Sequence, residues 1–560
     1  MGFYIGIDLG TTNSTVSVIQ TKNEDDSPLE NLISCGIEQL RRVGEGGELM
    51  SDECLPSALY FDIDNKRVYT GHFAKETYAS GDHPLQTALS IKTRMGGDSR
   101  LTIPSLAGKN NVQTFDMKEC ASFFIRTIVE TLKKNYPNQS RHLTDECVVT
   151  VPAAFNDDER VATKNAVLLG GFKNCIILDE PTAALLSYIN SKPDEEDTGD
   201  ETYKLVYDIG GGTLDVSIAK LSPNEYGDYL VDIVGLSERM NLGGDNFDRL
   251  LGAYFLEEFE RTNKKLDQYS EEDQGRIISR IVSNAEYYKK ELSKKIIECG
   301  DNQKKLNRVK MKVSFELING MFVTGIVLDK KIFDDLFYRY TSPNETKFGL
   351  LAPIKTALRR SNLKKEDIGE VILTGGMSNF YVAYETIKKF FGDVPINFVD
   401  DTRTAVSRGA ALYHWSLDED NVSMDVRKIS SLSNKLASNI YVRNAADEFE
   451  LLIPSDLSRT SGTYNYKILD DYVAYFPFYL YSGVEADGNE DMTSMYTQLT
   501  GRMIQAKPEY KKGYEIPIEW SIDENKVITI KIQDDKTLKL SRLLTPEDVA
   551  ESFVNDYKIN

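Results

Sequence analysis

Short apolar runs alternate with helix-length stretches of mixed character from the start of the chain to about His414. That alternation is the pattern of an α/β architecture with covered sheets. Phe3-Tyr4-Ile5-Gly6-Ile7 and Thr15-Val16-Ser17-Val18-Ile19 predict two strands separated by a turn rich in Gly and Thr. Cys147-Val148-Val149-Thr150-Val151 predicts a strand that stops at Pro152. Asn156, followed by Asp157, Asp158 and Glu159, predicts a capped helix start whose acids suit the positive end of the dipole. Lys204-Leu205-Val206-Tyr207 and Val371-Ile372-Leu373 predict two more strands, each leading into a Gly-rich turn. An acidic insertion from Pro193 to Glu201 reads as a solvated loop, and Thr404 to Ala411 as an Ala-rich helix. From about residue 428 the pattern turns to period two, as in Lys526-Val527-Ile528-Thr529-Ile530-Lys531-Ile532, which predicts a β sandwich. The expected organisation is therefore an α/β domain over 1–414, an acidic linker over 415–427 and a sandwich over 428–560. Pro546 to Tyr557 has room for about three helical turns, and no long helical lid is expected.

Composition narrows the classes of function. Among 560 residues, 66 Lys and Arg stand against 87 Asp and Glu, a net charge of 66 − 87 = −21. A net anion repels phosphate, so no nucleic-acid partner is expected. The lysines between 289 and 312 read as a solvated face. No apolar run approaches the ~18 residues that span a bilayer, so no membrane partner is expected. The amino-terminal residues lack a secretion pattern, and the six cysteines are thinly spread, as buried thiols in a reducing cytoplasm would be. The four histidines are scattered too, which argues against a histidine-built metal site.

One internal echo carries chemistry. Asp8-Leu9-Gly10-Thr11-Thr12 and Asp208-Ile209-Gly210-Gly211-Gly212-Thr213 each join two apolar strands, 200 positions apart. A duplicated fold would place one such turn on each wall of a cleft; chance likeness of two short strings is the alternative. A triphosphate needs close backbone N–H groups, which Gly permits, and carboxylates that hold the water shell of a metal. Asp8 and Asp208 end their strands, where α/β sheets bind ligands. The glycine pairs Gly243-Gly244 and Gly375-Gly376 extend the constellation. Neither a P-loop string nor a dinucleotide Gly-x-Gly-x-x-Gly after the first strand is present.

Five strings occur in order: Ile5-Gly6-Ile7-Asp8-Leu9-Gly10-Thr11-Thr12-Asn13-Ser14; Val151-Pro152-Ala153-Ala154-Phe155-Asn156-Asp157, with Arg160 after it; Leu178-Asp179-Glu180-Pro181-Thr182-Ala183-Ala184; Asp208-Ile209-Gly210-Gly211-Gly212-Thr213-Leu214-Asp215; and Leu242-Gly243-Gly244-Asp245-Asn246-Phe247-Asp248. On these the chain resembles the seventy-kilodalton heat-shock chaperones, the DnaK-like family. The resemblance is close over residues 1 to about 414 and holds only in outline beyond. It implies an actin-like ATPase domain of two duplicated, ribonuclease-H-like halves, followed by an all-β sandwich. It also implies ATP or ADP with Mg2+, an extended or unfolded polypeptide as partner, and co-chaperones.

Carried over motif by motif, the resemblance assigns Gly10, Thr11, Thr12 and Asn13 to one side of the phosphates, and Gly210, Gly211, Gly212 and Thr213 to the other. Asp8 and Asp208 would hold magnesium largely through water, Glu180 would order that shell, and Lys92 would position the attacking water. Glu286, Lys289 and Ser293 share one helix face and Lys290 borders it, matching the adenosine-binding helix. Gly243, Gly244, Gly375, Gly376 and Met377 would complete the nucleotide contacts. The family's adenine-stacking arginines are replaced by Lys290 and Asn379, neither of which stacks as a guanidinium does. Pro152 and Arg160 resemble a relay to the partner domain. In the linker only Val422, Met424 and Val426 could dock. Tyr475, Phe476, Phe478, Tyr479 and Tyr481 suggest a groove but fit a sandwich core better. The leading expectation is a slow Mg-ATPase chaperone. Its rivals are a nucleotide-binding regulatory or exchange partner with little turnover, and, disfavoured by the closeness of the strings, a filament former or sugar kinase.

Overall fold

The computed structural model describes residues 2–21, 26–44, 46–108, 111–139, 142–192, 201–224, 228–261, 263–300, 302–344, 348–418, 421, 426–433, 436, 438–457, 459–471, 475–483, 496–505, 507–508, 510–523, 525–532, 536–539 and 543–560. Val422 and Met424, the acidic residues 419–420 and most of the 193–201 insertion lie outside them.

Two sheets share one plan. In the first, Leu32–Ser34, Asn13–Thr21, Gly2–Leu9, Glu146–Val151 and Asn174–Asp179 lie side by side in that order. The joins among the first three are antiparallel and the last two parallel. In the second, Tyr229–Leu236, Leu214–Pro223, Thr202–Ile209, Glu370–Thr374 and Ile396–Phe398 repeat both the order and the sense. Helices cover both faces, so the central strands are almost wholly buried, as in Leu205-Val206-Tyr207 and Val371-Ile372-Leu373. The helix Ala405–Ser416 packs between the halves; its Ala410 and Ala411 share a core with Val148 of the first sheet and Val206 and Ile372 of the second. Its His414 is buried and accepts the Ile5 N–H at Nδ1 (2.9 Å), a structural use of a lone histidine. The helix Asp157–Leu169 starts at Asn156 in a reciprocal capping box with Glu159.

Among the described residues the sandwich has two four-stranded sheets. One holds Phe449–Ile453, Asn439–Arg443, Tyr475–Gly483 and Tyr496–Gln505; the other holds Ser461–Lys467, Glu515–Ile522, Ile528–Ile532 and Lys536–Lys539. Period-two burial along Glu515–Ile522 sends Ile516, Ile518, Trp520 and Ile522 inward. Phe476, Phe478 and Tyr481 are core residues, while Tyr475 is 54% exposed.

Three local expectations differ from the structure. Ile429–Ser433 does not join the sandwich but adds in parallel to Tyr229–Leu236, at the edge of the second sheet. That edge offers unpaired backbone groups, and the apolar Val426, Ile429 and Leu432 pack on the core containing Ile189 and Trp415. Lys526 and Val527 precede the strand: Lys526 has φ +61° and its ammonium is drawn to Asp179 (2.6 Å). The helix after Thr545 spans only Pro546–Glu551, because Ser552 is extended and the chain then runs through a short 3-10 turn, Phe553–Asp556, into a strand, Lys558–Ile559.

The sandwich meets the first half through one buried cluster. Asp179 accepts from Arg160 (2.7 Å) and from Lys526, the Ile177 N–H reaches Asn525 Oδ1 (2.9 Å), and the Ile528 N–H reaches Asp157 Oδ1 (2.6 Å). Burial works against the Asp179 charge, yet Arg160 and Lys526 hold its carboxyl below the usual range. Among the described residues no helix is long and apolar enough to cross a membrane. Asp179→Ala leaves two buried cations unpaired, and denaturant melts should show a loss of about 3–5 kcal/mol.

Candidate nucleotide-binding site

Because the halves share one plan, their first strands end at one cleft. Asp8 lies opposite Thr15 and Thr150 in the first sheet, and Asp208 lies opposite Asp215 and Thr374 in the second. Asp8, Gly10, Thr11, Thr12 and Asn13 line one wall of a cavity of about 610 Å3; Asp208, Gly210, Gly211 and Thr213 line the other. The walls are close enough that a Cβ on Gly211 would collide with the Thr12 hydroxyl, so only glycine lets the turns meet. Gly375, at φ +82°, brings a third backbone segment against Ile209 and the Asp208 carboxylate.

Lys92 sits in a one-turn 3-10 helix, Ile91–Arg94, and its buried ammonium is bonded to Glu180, the first residue of the helix Glu180–Ser191. Both line the cavity. Burial pushes the Asp8 carboxyl up to about 7, with Lys92 opposing the rise and Glu180 adding to it. Burial, reinforced by Glu180, Asp215 and Asp8, raises Asp208 well above the carboxylate range. Asp215 is pushed up to about 8, chiefly by burial and by Glu180.

At the other end, the Lys289 ammonium bonds Asp248 (2.8 Å) and the Gly244 carbonyl (3.1 Å). Glu286 pairs with Lys75 (3.0 Å) and Lys290 (2.5 Å); although burial works the other way, these ammoniums hold its carboxyl at about 2. Gly244, Gly375, Gly376 and Met377 also line the cavity. Four expected residues do not. Gly212 packs on Thr93 and Thr11, and Gly243 on the backbone of Gly211. The Ser293 hydroxyl accepts the Tyr381 N–H (3.1 Å), and the Asn379 amide donates to the Thr402 hydroxyl (2.9 Å). The Ser293 and Asn379 side chains serve the walls.

The residues present fit a metal-bound triphosphate. Thr12 Oγ1, Thr15 Oγ1, Thr374 Oγ1 and Asp215 Oδ1 are buried and have no hydrogen-bond partner among the described residues, and all belong to the two turns or the strands beside them. Such atoms are costly unless something fills them. No group of three or more His, Cys, Asp or Glu side chains that could hold a metal occurs among the described residues.

The family model described as Hsp70 protein matches residues 49–549. The chain belongs to the Hsp70 family. Membership brings an ATP-dependent, chaperone-type function in general terms; Hsp70 proteins are ATPases that typically bind ATP or ADP with Mg2+ and act on unfolded polypeptides together with co-chaperones. It also accounts for an actin-like domain preceding a β sandwich.

Several cleft residues of this Hsp70 chain escaped the sequence reading. Asp215 could have been found, since a hairpin pairing Ile209 with Leu214 sets Asp208 opposite Asp215. Lys75 with Glu286, and Ser90 with Asp245 (2.6 Å), join parts of the chain far apart in sequence and gave no local signal. Arg239, from the second lobe, bonds the Glu159 carboxylate and the Thr93 carbonyl (2.9 Å) of the first.

Asp215 keeps its proton to about pH 8 when folded but only to about pH 4 in an unfolded chain. Between those values the folded state binds more protons, so stability falls as pH rises. In metal-free protein, Asp215→Asn should flatten the fall in melting temperature between about pH 4 and 8. Scanning calorimetry should find the variant more stable than its parent at pH 8 and similar to it at pH 4.

Proposed function

We propose that this protein binds Mg-ATP between the Asp8 and Asp208 turns, hydrolyses it slowly, and uses the cycle to modulate the grip of its sandwich on extended polypeptide. The observation that carries the reading is the pair of carboxylates, Asp8 and Asp208, at equivalent strand ends of one cleft between lobes of shared plan, with the Lys92–Glu180 pair lining the same cavity. Gly10, Thr11, Thr12 and Asn13 would take the phosphates from one side, and Gly210, Gly211 and Thr213 from the other. Asp8 and Asp208 would hold magnesium through water, and Glu180 would order that shell. The bound ion offsets phosphate charge and polarises the phosphoryl oxygens. Lys92 would position the attacking water and stabilise charge on the transferring group. Glu286, Lys289 and Lys290 would border the nucleoside.

The sandwich would hold a peptide by backbone pairing and apolar pockets. Arg160, buried beside Asp179 and Lys526, stands where a signal between nucleotide domain and sandwich would pass. A second reading, a nucleotide-binding regulatory or exchange partner with little turnover, is favoured by the base end of the cleft. Lys290 is tied to Glu286 and Asn379 to Thr402, and neither supplies a guanidinium plane to a base.

Phosphate release followed during a Mg-ATP titration tests the proposal. Lys92→Ala and Glu180→Ala should each lower kcat by roughly 10²-fold or more while binding persists, and chelating magnesium should stop turnover. Stimulation by an unfolded peptide supports the chaperone reading; tight binding with no turnover supports the second one. Restoring planar groups, with Lys290→Arg and Asn379→Arg together, should tighten ATP about 10-fold in calorimetry, in line with cation–π attraction of about 1–2 kcal/mol.

A further inference from the structure

Residues 543–560 do not end beside the sandwich that precedes them; they are built into the first lobe. Lys558–Ile559 adds in parallel to Arg67–Thr70, the outer strand of a small sheet with Ala58–Asp62 and Thr87–Leu89. The Lys558 N–H reaches the Lys66 carbonyl (2.9 Å) and the Asn560 N–H the Val68 carbonyl (3.1 Å). Val554 is fully buried, and Tyr557 nearly so, in the same core as Phe115 and Phe123. The Phe115 ring lies 5.5 Å from Phe553 and 5.4 Å from Tyr557. On the helix Met117–Asn135, the Arg126 guanidinium donates to the carbonyls of Val554 (2.8 Å) and Tyr557 (3.1 Å). The Leu544 N–H reaches Asn165 Oδ1 (2.8 Å), and Lys66 pairs with Asp556 (2.8 Å).

The other end of the sandwich is fixed as well, because Ile429–Ser433 is an edge strand of the second lobe. From Lys539, the last sandwich strand residue, to Leu543 is four residues, a reach of at most roughly 14 Å at the extended limit. From Ser433 to Asn439 is six residues, a reach of roughly 20 Å. A domain held by one flexible end can swing clear. A domain held at both ends by links this short stays within about a strand's length of both lobes even when its side-chain contacts open.

We propose that residues 543–560 form a clasp on the first lobe that, with Ile429–Ser433 on the second, keeps the sandwich docked whatever occupies the cleft. Opening at the Asp179–Lys526 contact is then local and quickly reversed, and relative motion of the lobes is passed into the sandwich instead of freeing it. The proposal does not depend on nucleotide binding.

The test lengthens the tether without touching the clasp. Thirty Gly and Ser residues are inserted between Leu540 and Ser541 of the full chain, and hydrogen exchange is read at the amides of Ile177 and Ile528, which donate across the contact to Asn525 and Asp157. Effective concentration falls as roughly the −3/2 power of link length, so going from four to thirty-four residues should lower protection at both amides by up to about 25-fold, the short link from Ser433 to Asn439 limiting the loss. Val206 and Ile372, in the second sheet, should keep theirs. Val554→Asp, which removes the clasp instead of lengthening its link, should cost at least as much. The same pattern is expected without nucleotide, with ADP and with Mg-ATP. Protection at Ile177 and Ile528 that changes less than about 3-fold on insertion, or that collapses in the parent chain when ADP replaces ATP, would overturn the clasp.

Discussion

Asp208 and Asp215 are buried, and Asp8 half-buried, beside the Lys92–Glu180 pair, so ionising all four carboxyls would set them against a single ammonium. A carboxylate desolvated without a full complement of partners must either keep a proton or receive a cation. Here the fold over-determines the arrangement. Asp8 and Asp208 lie near the ends, and Asp215 near the start, of strands paired on both sides, and Gly375 lies against the Asp208 carboxylate. Stability given up at these positions makes chemical sense if the cleft is completed by a metal-bound polyanion.

The lobes around that cleft are joined by polar bridges, Lys75 to Glu286, Ser90 to Asp245 and Arg239 to Glu159, and by the helix Ala405–Ser416 packed between both sheets. The sandwich is bound to the same two lobes: to the second by an added strand, to the first by the Asp179 cluster and residues 543–560. Charge changes in the cleft and contacts at the sandwich therefore share neighbouring elements. Asp179 and Glu180 are consecutive, one facing Lys526 and the other Lys92.

Much of this was legible in the sequence because it is local. Strands buried on both faces read as unbroken apolar runs, the Asn156 cap is a four-residue pattern, and the repeated Asp-x-Gly turns announce the duplication that the two sheets display. What stayed hidden depends on contacts distant along the chain. The period-two run from Lys526 reads as strand from its first residue, yet a buried partner 347 positions away pulls that lysine into a left-handed turn. Ile429–Ser433 lies where the sequence changes to sandwich character, but the open edge of the second sheet claims it. The stretch after Pro546 has helix-like composition, and the apolar surface around Phe115 and Arg126 redirects it after Glu551. Ser293 and Asn379 occupy positions that suggest a nucleotide contact, and only the packing of Tyr381 and Thr402 shows their side chains engaged elsewhere.

The most direct test of the central claim is isothermal calorimetry of the full chain with ATP at fixed pH, with magnesium present and then chelated. The account predicts binding of one ATP per chain with magnesium, weakened at least tenfold in Asp208→Lys, which places a fixed ammonium where the ion's water shell belongs. Absence of heat with Mg-ATP, or an affinity indifferent to both magnesium and the Asp208 substitution, contradicts it.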